Sequence, residues 1–260
     1  LLSYNLFAYC ENDGVNFVDE RGTWAYDVHA GYYSLKQKEK AKVKVGYVIG
    51  KNGQGIPYYT IGKGRDEEKV YYGTYYWATE CGIHYSNAKI IAFHCNDVDN
   101  QFSPLLANYQ SWHFDTNYTA NGSTDSRLII SFFMCLEASQ YFDEALKHKK
   151  GGKKYKSAVK NGLMYLGYAL HPIQDIYAHT PDRCHRMLVP YFYYYEDVNG
   201  NTISGSYAVL GWWHYPTDDT DNAQIRTKQV EKTKNHTYKI LNTFVNNYKS
   251  ILSRNNGVKI

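Results

Sequence analysis

His171, Asp175 and His179 recur every four residues in the stretch GYALHPIQDIYAHT. On a helix this spacing places two imidazoles and a carboxylate on one face, drifting by about 40° per step. Nitrogen and oxygen donors arranged in this way suit a divalent metal. An ionised carboxylate on an otherwise apolar helix is costly without a partner. Further donors lie elsewhere in the chain. Asp99 precedes His113, which sits in the loop Trp112-His113-Phe114-Asp115. His214 and Asp218 repeat the four-residue spacing in GWWHYPTDD, where Pro216 argues against a regular helix. Together these residues supply six or seven ligands, enough for two metals with an open coordination position.

The cysteines at 10, 81, 95, 135 and 184 form no CxxC pair, which excludes a thiolate zinc knuckle. Their odd number and wide spacing do not suggest a disulfide framework. The histidines at 84, 94, 148 and 236 read as structural or surface residues.

The elements that must position the donors divide into three zones. Residues 1–23 are rich in turn formers between short aromatic pieces. Residues 24–69 read as a β-rich connector: KAKVKVGYVIG (40–50) alternates Lys with Val at strand period, and Asn-Gly and Gly-Gln-Gly turn signals follow. Residues 70–260 read as mostly helical, with helical spacing over 74–100 interrupted near Gly82, over 126–150, over 156–180 after Gly151-Gly152, and from about Asp221 to Leu252. Long helices with short breaks predict an all-α bundle, in which metals sit between facing helices. Pro172 removes one backbone hydrogen bond beside the donors, so the helix either kinks or restarts there. The basic run KHKKGGKKYK (147–156) reads as a helix end, a loop and a helix start; clustered lysines also attract anionic membranes and nucleic acid.

Composition narrows the class. The chain has 260 residues, 43% hydrophobic and 21% charged, enough to bury a core and too apolar for disorder. No uninterrupted run of about 18 apolar residues occurs, which excludes a membrane-spanning helix. A net charge of +4 is too small to argue for nucleic acid by itself. There are 28 tyrosines, and the cluster YFYYYEDV (191–198) stands apart from those near the start. The chain begins Leu-Leu-Ser, without an initiator Met or signal peptide, as expected of a processed chain or a piece of a longer one.

The order Asp, His, His-x3-Asp, His, His-x3-Asp resembles the zinc-dependent phospholipase C superfamily, which includes single-strand-specific zinc nucleases. GYALHPIQDIYAHT, the SWHFD loop and YYGTYYWATECGIHYSNAKIIAFHCNDVDN carry the resemblance over about residues 70–250. It implies a phospholipase C-like helical bundle over 70–260 and a metal-dependent phosphodiester hydrolase using two zinc ions, or three. His113, His171 and Asp175 would hold the first ion; His179, His214 and Asp218 the second. Asp99 would act beside the first as base or ligand. In the family the histidine after His-x3-Asp lies further along, so His185 competes with His179. The family's third site uses an N-terminal Trp and a nearby His; its relatives' His before YYGT is Val70 here, and Trp24 with His29 would rebuild that site if cleavage freed Trp24. Tyr177, Trp212 and Trp213 would line the pocket for a phospholipid, or for a nucleic acid in the nuclease alternative.

Residues 1–23 resemble the end of an Rhs/YD-repeat core through Tyr4, Asn5, Ala8, Tyr9, Cys10, Asn12, Val15, Asn16, Val18, Asp19 and Gly22. They depart from it at Asp13-Gly14 and Glu20-Arg21. This implies the C-terminal toxin of an Rhs-type protein, secreted or delivered at a bacterial cell surface, with the Rhs shell, an immunity protein and a membrane surface as partners. The competing expectation is a non-catalytic, metal-stabilised binding module.

Overall fold

The computed structural model describes residues 28–31, 46–49, 55–103, 106–117, 124–179, 184–196, 202–214 and 227–260. The Rhs-like segment, Trp24, Asp218 and residues 40–45 lie outside the described residues. The Lys–Val alternation leads into β1 (Gly46–Ile49), which pairs with β2 (Gly55–Ile61), and β2 pairs in turn with β3 (Glu68–Tyr71), all antiparallel. Tyr58 of β2 stands opposite both Gly46 and Tyr71. Alternate β2 residues, ending with Tyr59, turn inward as strand geometry requires.

Among the described residues, five α-helices follow from the capping and breaking residues. α1 (Thr74–Glu80) and α2 (Tyr85–Gln101) are separated at Gly82, whose φ of 85° suits glycine. His84 caps α2 by accepting the Ser86 amide on Nδ1. Asp125 caps α3 (Ser126–Leu146) by accepting the Arg127 amide. α4 (Lys153–Ala178) begins after Gly152, and α5 (Thr227–Leu252) closes the fold. The basic run spans the end of α3, the turn and the start of α4. None of the described helices is long and apolar enough to cross a membrane.

α4 is the hub, packed against α2, α3 and α5. Val159, Leu163, Leu166 and Leu170, spaced by three or four, form its sealed stripe. The helix runs on through Pro172 rather than restarting there. One turn earlier, Ser131 of α3 donates to the Ala169 carbonyl at 2.8 Å.

The all-α expectation fails: the described residues mix helices with two antiparallel sheets, one of three strands and one of two. Within the zone expected to be helical, β4 (Cys184–Glu196) and β5 (Thr202–His214) form a long hairpin, with Leu188 opposite Leu210 and Tyr191 opposite Tyr207. The physical reason lies in their residues. Tyr191, Phe192, Tyr193 and Tyr194 favour an extended chain, and no three-to-four periodicity opposes it. Pro190 is tolerated because a two-stranded ribbon consists only of edges.

The approach of α4 to α2 rests on Gly167. A Cβ there would meet the Ile91 carbonyl oxygen at 2.5 Å and the Cys95 amide nitrogen at 3.0 Å, both backbone atoms that cannot swing aside. Gly167→Ala should therefore lower stability by about 1–3 kcal/mol, read as a lower urea midpoint with an unchanged m-value. A wild-type midpoint would contradict this packing.

Candidate metal centre

Three elements bring the donors together. α4 supplies His171 and Asp175, α2 supplies Asp99 from its last turn, and the 3-10 turn Ala107–Trp112 ends at His113. His171 Nε2 and His113 Nδ1 are 3.0 Å apart. Asp175 Oδ2 is 3.1 Å from the first and 3.2 Å from the second. Asp99 Oδ1 is 3.6 Å from both. An ion with bonds of about 2.0–2.1 Å in tetrahedral geometry separates its ligands by about 3.3–3.4 Å. The distances among Asp99 Oδ1, His113 Nδ1 and His171 Nε2 bracket that value, so these three atoms could share one divalent ion, with Asp175 Oδ2 beside both imidazole nitrogens.

The imidazoles are oriented for this role. A carbonyl oxygen only accepts, so His171 Nδ1 donates to Cys95 O at 2.9 Å, and His113 Nε2 donates to Phe102 O at 2.7 Å. Each neutral ring then turns a lone pair toward the carboxylates, the arrangement that metal-binding histidines adopt. Lone pairs facing carboxylate oxygens repel unless a cation lies between them, whether a metal ion or a proton. Buried His, Cys and Asp groups here can bind a metal ion.

Asp175 Oδ1 faces the other way. It is buried and receives no well-formed hydrogen bond from any described residue, yet His29 Nε2 stands 3.1 Å away and His179 Nε2 3.8 Å away. His29 is oriented as the other two are. Gln174 Nε2 donates to Thr74 Oγ1 at 2.8 Å, so Gln174 Oε1 faces His29 Nδ1 at 2.7 Å and accepts its proton. One carboxylate thus touches four imidazoles, two on each oxygen. A grouping of His29, Cys95 and His171 fits an ion less well. The two rings stack with centroids 4.1 Å apart and planes 29° apart, so their in-plane lone pairs run side by side instead of converging.

Charge follows from burial and proximity. Burial opposes ionisation of Asp175, but His171, His179 and His29 outweigh it and hold the carboxyl well below the usual range. Burial likewise opposes a proton on His171, and Asp175 and Asp99 overcome it against the neighbouring His29, raising His171 to about 9. His29 is raised well above its ordinary value, Asp175 again prevailing over burial.

Of the donors expected from sequence, Asp99, His113, His171 and Asp175 converge, and His179 borders them. His179 has left the helix as its C-cap, though its amide still donates to Asp175 O at 2.9 Å. His214 ends β5 opposite Cys184, and it, His185 and Trp213 are described by backbone alone. Tyr177 turns toward α5, where its hydroxyl meets His236 Nδ1 at 3.2 Å. The Trp212 amide donates to Gln110 Oε1 at 2.6 Å and its ring carries the Arg186 guanidinium at 3.8 Å, anchoring the hairpin beside the turn that ends in His113. Asp115 of the SWHFD loop accepts the Ser126 amide at 3.1 Å and so serves the start of α3. Sequence reasoning placed His29 only in a site with Trp24 and missed Gln174 and Arg127. Gln174 adjoins Asp175 in the chain, but nothing in the sequence marks Arg127.

With this geometry described, comparison with known proteins adds no relative: no family model, curated protein or solved structure matches the chain.

Two opposed pH effects follow. Without metal, the stability contributed by His171 is complete below about pH 6.5 and lost as pH rises through about 9; that of Asp175 is complete above about pH 4 and lost under acid. A metal competes with the proton on His171, so its stabilisation grows over the range in which the proton's fades. Thermal melts with and without chelator from pH 5 to 9 should diverge as pH rises. Parallel curves would contradict a shared site.

Proposed function

We propose that the chain is a metal-dependent phosphodiester hydrolase with phospholipase C-like chemistry, using zinc. The observation that carries this reading is the single Asp175 carboxylate with oriented imidazoles on both oxygens: His113 and His171, joined by Asp99, on one, and His29 on the other, with His179 nearby. Asp99, His113 and His171 could share one ion, and three protein donors leave a position open for water or substrate. Bound divalent ions supply Lewis-acid charge for a phosphoryl oxygen and make water a better nucleophile near neutral pH.

The residues of the chain supply the rest. His171 and His113 hold their lone pairs inward because backbone carbonyls take their outer protons. Asp175 keeps its charge at any pH near neutrality. Asp99 is the most water-accessible of the four donors, its side chain 12% exposed against 2% or less for the other three, so it is the group placed to take a proton from an attacking water. The Rhs-like residues 1–23 support a toxin role, delivered by a bacterial cell from an Rhs-type shell and restrained by an immunity protein. The sequence supports a phospholipid substrate over nucleic acid only through the family resemblance.

A specific observation favours one other reading. Asp175 Oδ2 lies within 3.2 Å of both imidazole nitrogens, and if it joined Asp99, His113 and His171 on one ion the four protein donors would match structural zinc sites and make this a metal-stabilised binding module. Hydrolysis of phospholipid vesicles and of single-stranded DNA, with elemental analysis of the same sample, separates the readings. The hydrolase should hold two zinc ions per chain and cleave one substrate, and His171→Ala should reduce the rate by at least about 100-fold. One ion per chain, no cleavage and a large loss of melting temperature with chelator would establish the binding module instead.

A further inference from the structure

A guanidinium sealed from water needs acceptors for its N–H groups and an opposite charge. Arg127, 1% exposed, has both. Its Nε and Nη2 hold the Asp125 carboxylate at 3.0 Å and 2.7 Å. The same carboxylate caps α3 by accepting the Arg127 amide at 2.9 Å, so the Asp125 side chain fixes both ends of the arginine. The remaining nitrogen, Nη1, points at three backbone carbonyls: Asp175 O at 2.8 Å, His179 O at 3.0 Å and His113 O at 3.3 Å.

Each of those carbonyls belongs to a residue of the donor set. Two lie at the C-terminal end of α4, where the negative end of the helix dipole favours a cation. The third closes the 3-10 turn. The distances between His113 Nδ1 and its α4 partners, 3.0 Å and 3.2 Å, therefore join two elements far apart in the chain, and Arg127 is bonded to the backbone of both.

We infer that Arg127 is a positioning residue of the metal centre: it sets the spacing of His113 against Asp175 and His179, and Asp125 keeps its guanidinium aimed. The inference rests on the metal reading above. A lysine cannot replace it, because a single ammonium cannot hold a carboxylate side-on and also reach three carbonyls. Arg127 touches no donor atom, so its effect falls on ligand geometry and not on ligand number.

The test is a titration of the chelator-treated full chain with Co2+, read by visible ligand-field absorption, with near-ultraviolet circular dichroism of the metal-free form as the check on folding. Arg127→Lys and Asp125→Asn should keep the wild-type dichroism, bind Co2+ about 10–100-fold more weakly, and shift the ligand-field bands although every ligand is present. Asp125→Asn leaves all five N–H donors of Arg127 in place, so it tests the aim of the clamp even if Arg127→Lys does not fold. Variants that fold and match the wild type in Co2+ affinity and band shape overturn the inference. Should the wild type take up no Co2+, the metal reading itself fails and this inference with it. Wild-type binding with unaltered variants removes only the role of Arg127.

Discussion

The structure turns on one buried carboxylate. Asp175 is sealed from water, and four imidazole nitrogens lie within 3.8 Å of its two oxygens. Such a group cannot be left alone, because burying an unpaired charge costs several kcal/mol. Nor can the nearest imidazoles satisfy it when neutral, since carbonyl and amide acceptors have already taken the N–H groups of His171, His113 and His29 on the far side. A cation has to complete the cluster. Protons can do so, and they account for the raised His171 and the depressed Asp175. The spacing of Asp99, His113 and His171 suits a divalent ion at least as well.

The surrounding fold serves that cluster. α4 is the central helix, and its apolar stripe packs against neighbours on three sides before the helix delivers His171 and Asp175 at its C-terminal end. Gly167 lets α2 come close enough for the Cys95 carbonyl to receive His171 Nδ1. The start of α3 meets the end of α4 through Arg127, and the 3-10 turn is held by Phe102 O on one side and by the hairpin, through Gln110, on the other. Packing and polar contacts thus converge on the same few atoms. This is the arrangement expected where a site must be preorganised rather than assembled on binding.

Part of this was legible in the sequence. Four-residue spacing places His171 and Asp175 on one helix face wherever that helix packs. Helical spacing over 126–150 and the Gly151-Gly152 break after it mark α3 as local signals. The hairpin was not legible. The stretch holding Tyr191 to Tyr194 lacks helical period, but a short aromatic run is ambiguous until it has a partner strand, and β4 finds its partner only in β5. The contact of His29 with Asp175 was not legible for a similar reason: its chemical type was evident, but no spacing rule links it to a carboxylate 146 positions later.

The sequence by itself determined the donor types, the ladder on α4 and most helix boundaries, because these depend on side-chain chemistry and on a repeat of 3.6 residues. Only the tertiary structure decided which donors meet. Asp99, His113 and His29 come from three other segments, and their convergence depends on backbone contacts such as those of Gly167 and Arg127. The direction of each imidazole lone pair was decided there as well, because it is set by the Cys95 and Phe102 carbonyls and by Gln174, and a ring's tautomer follows its hydrogen-bond partner rather than its place in the chain.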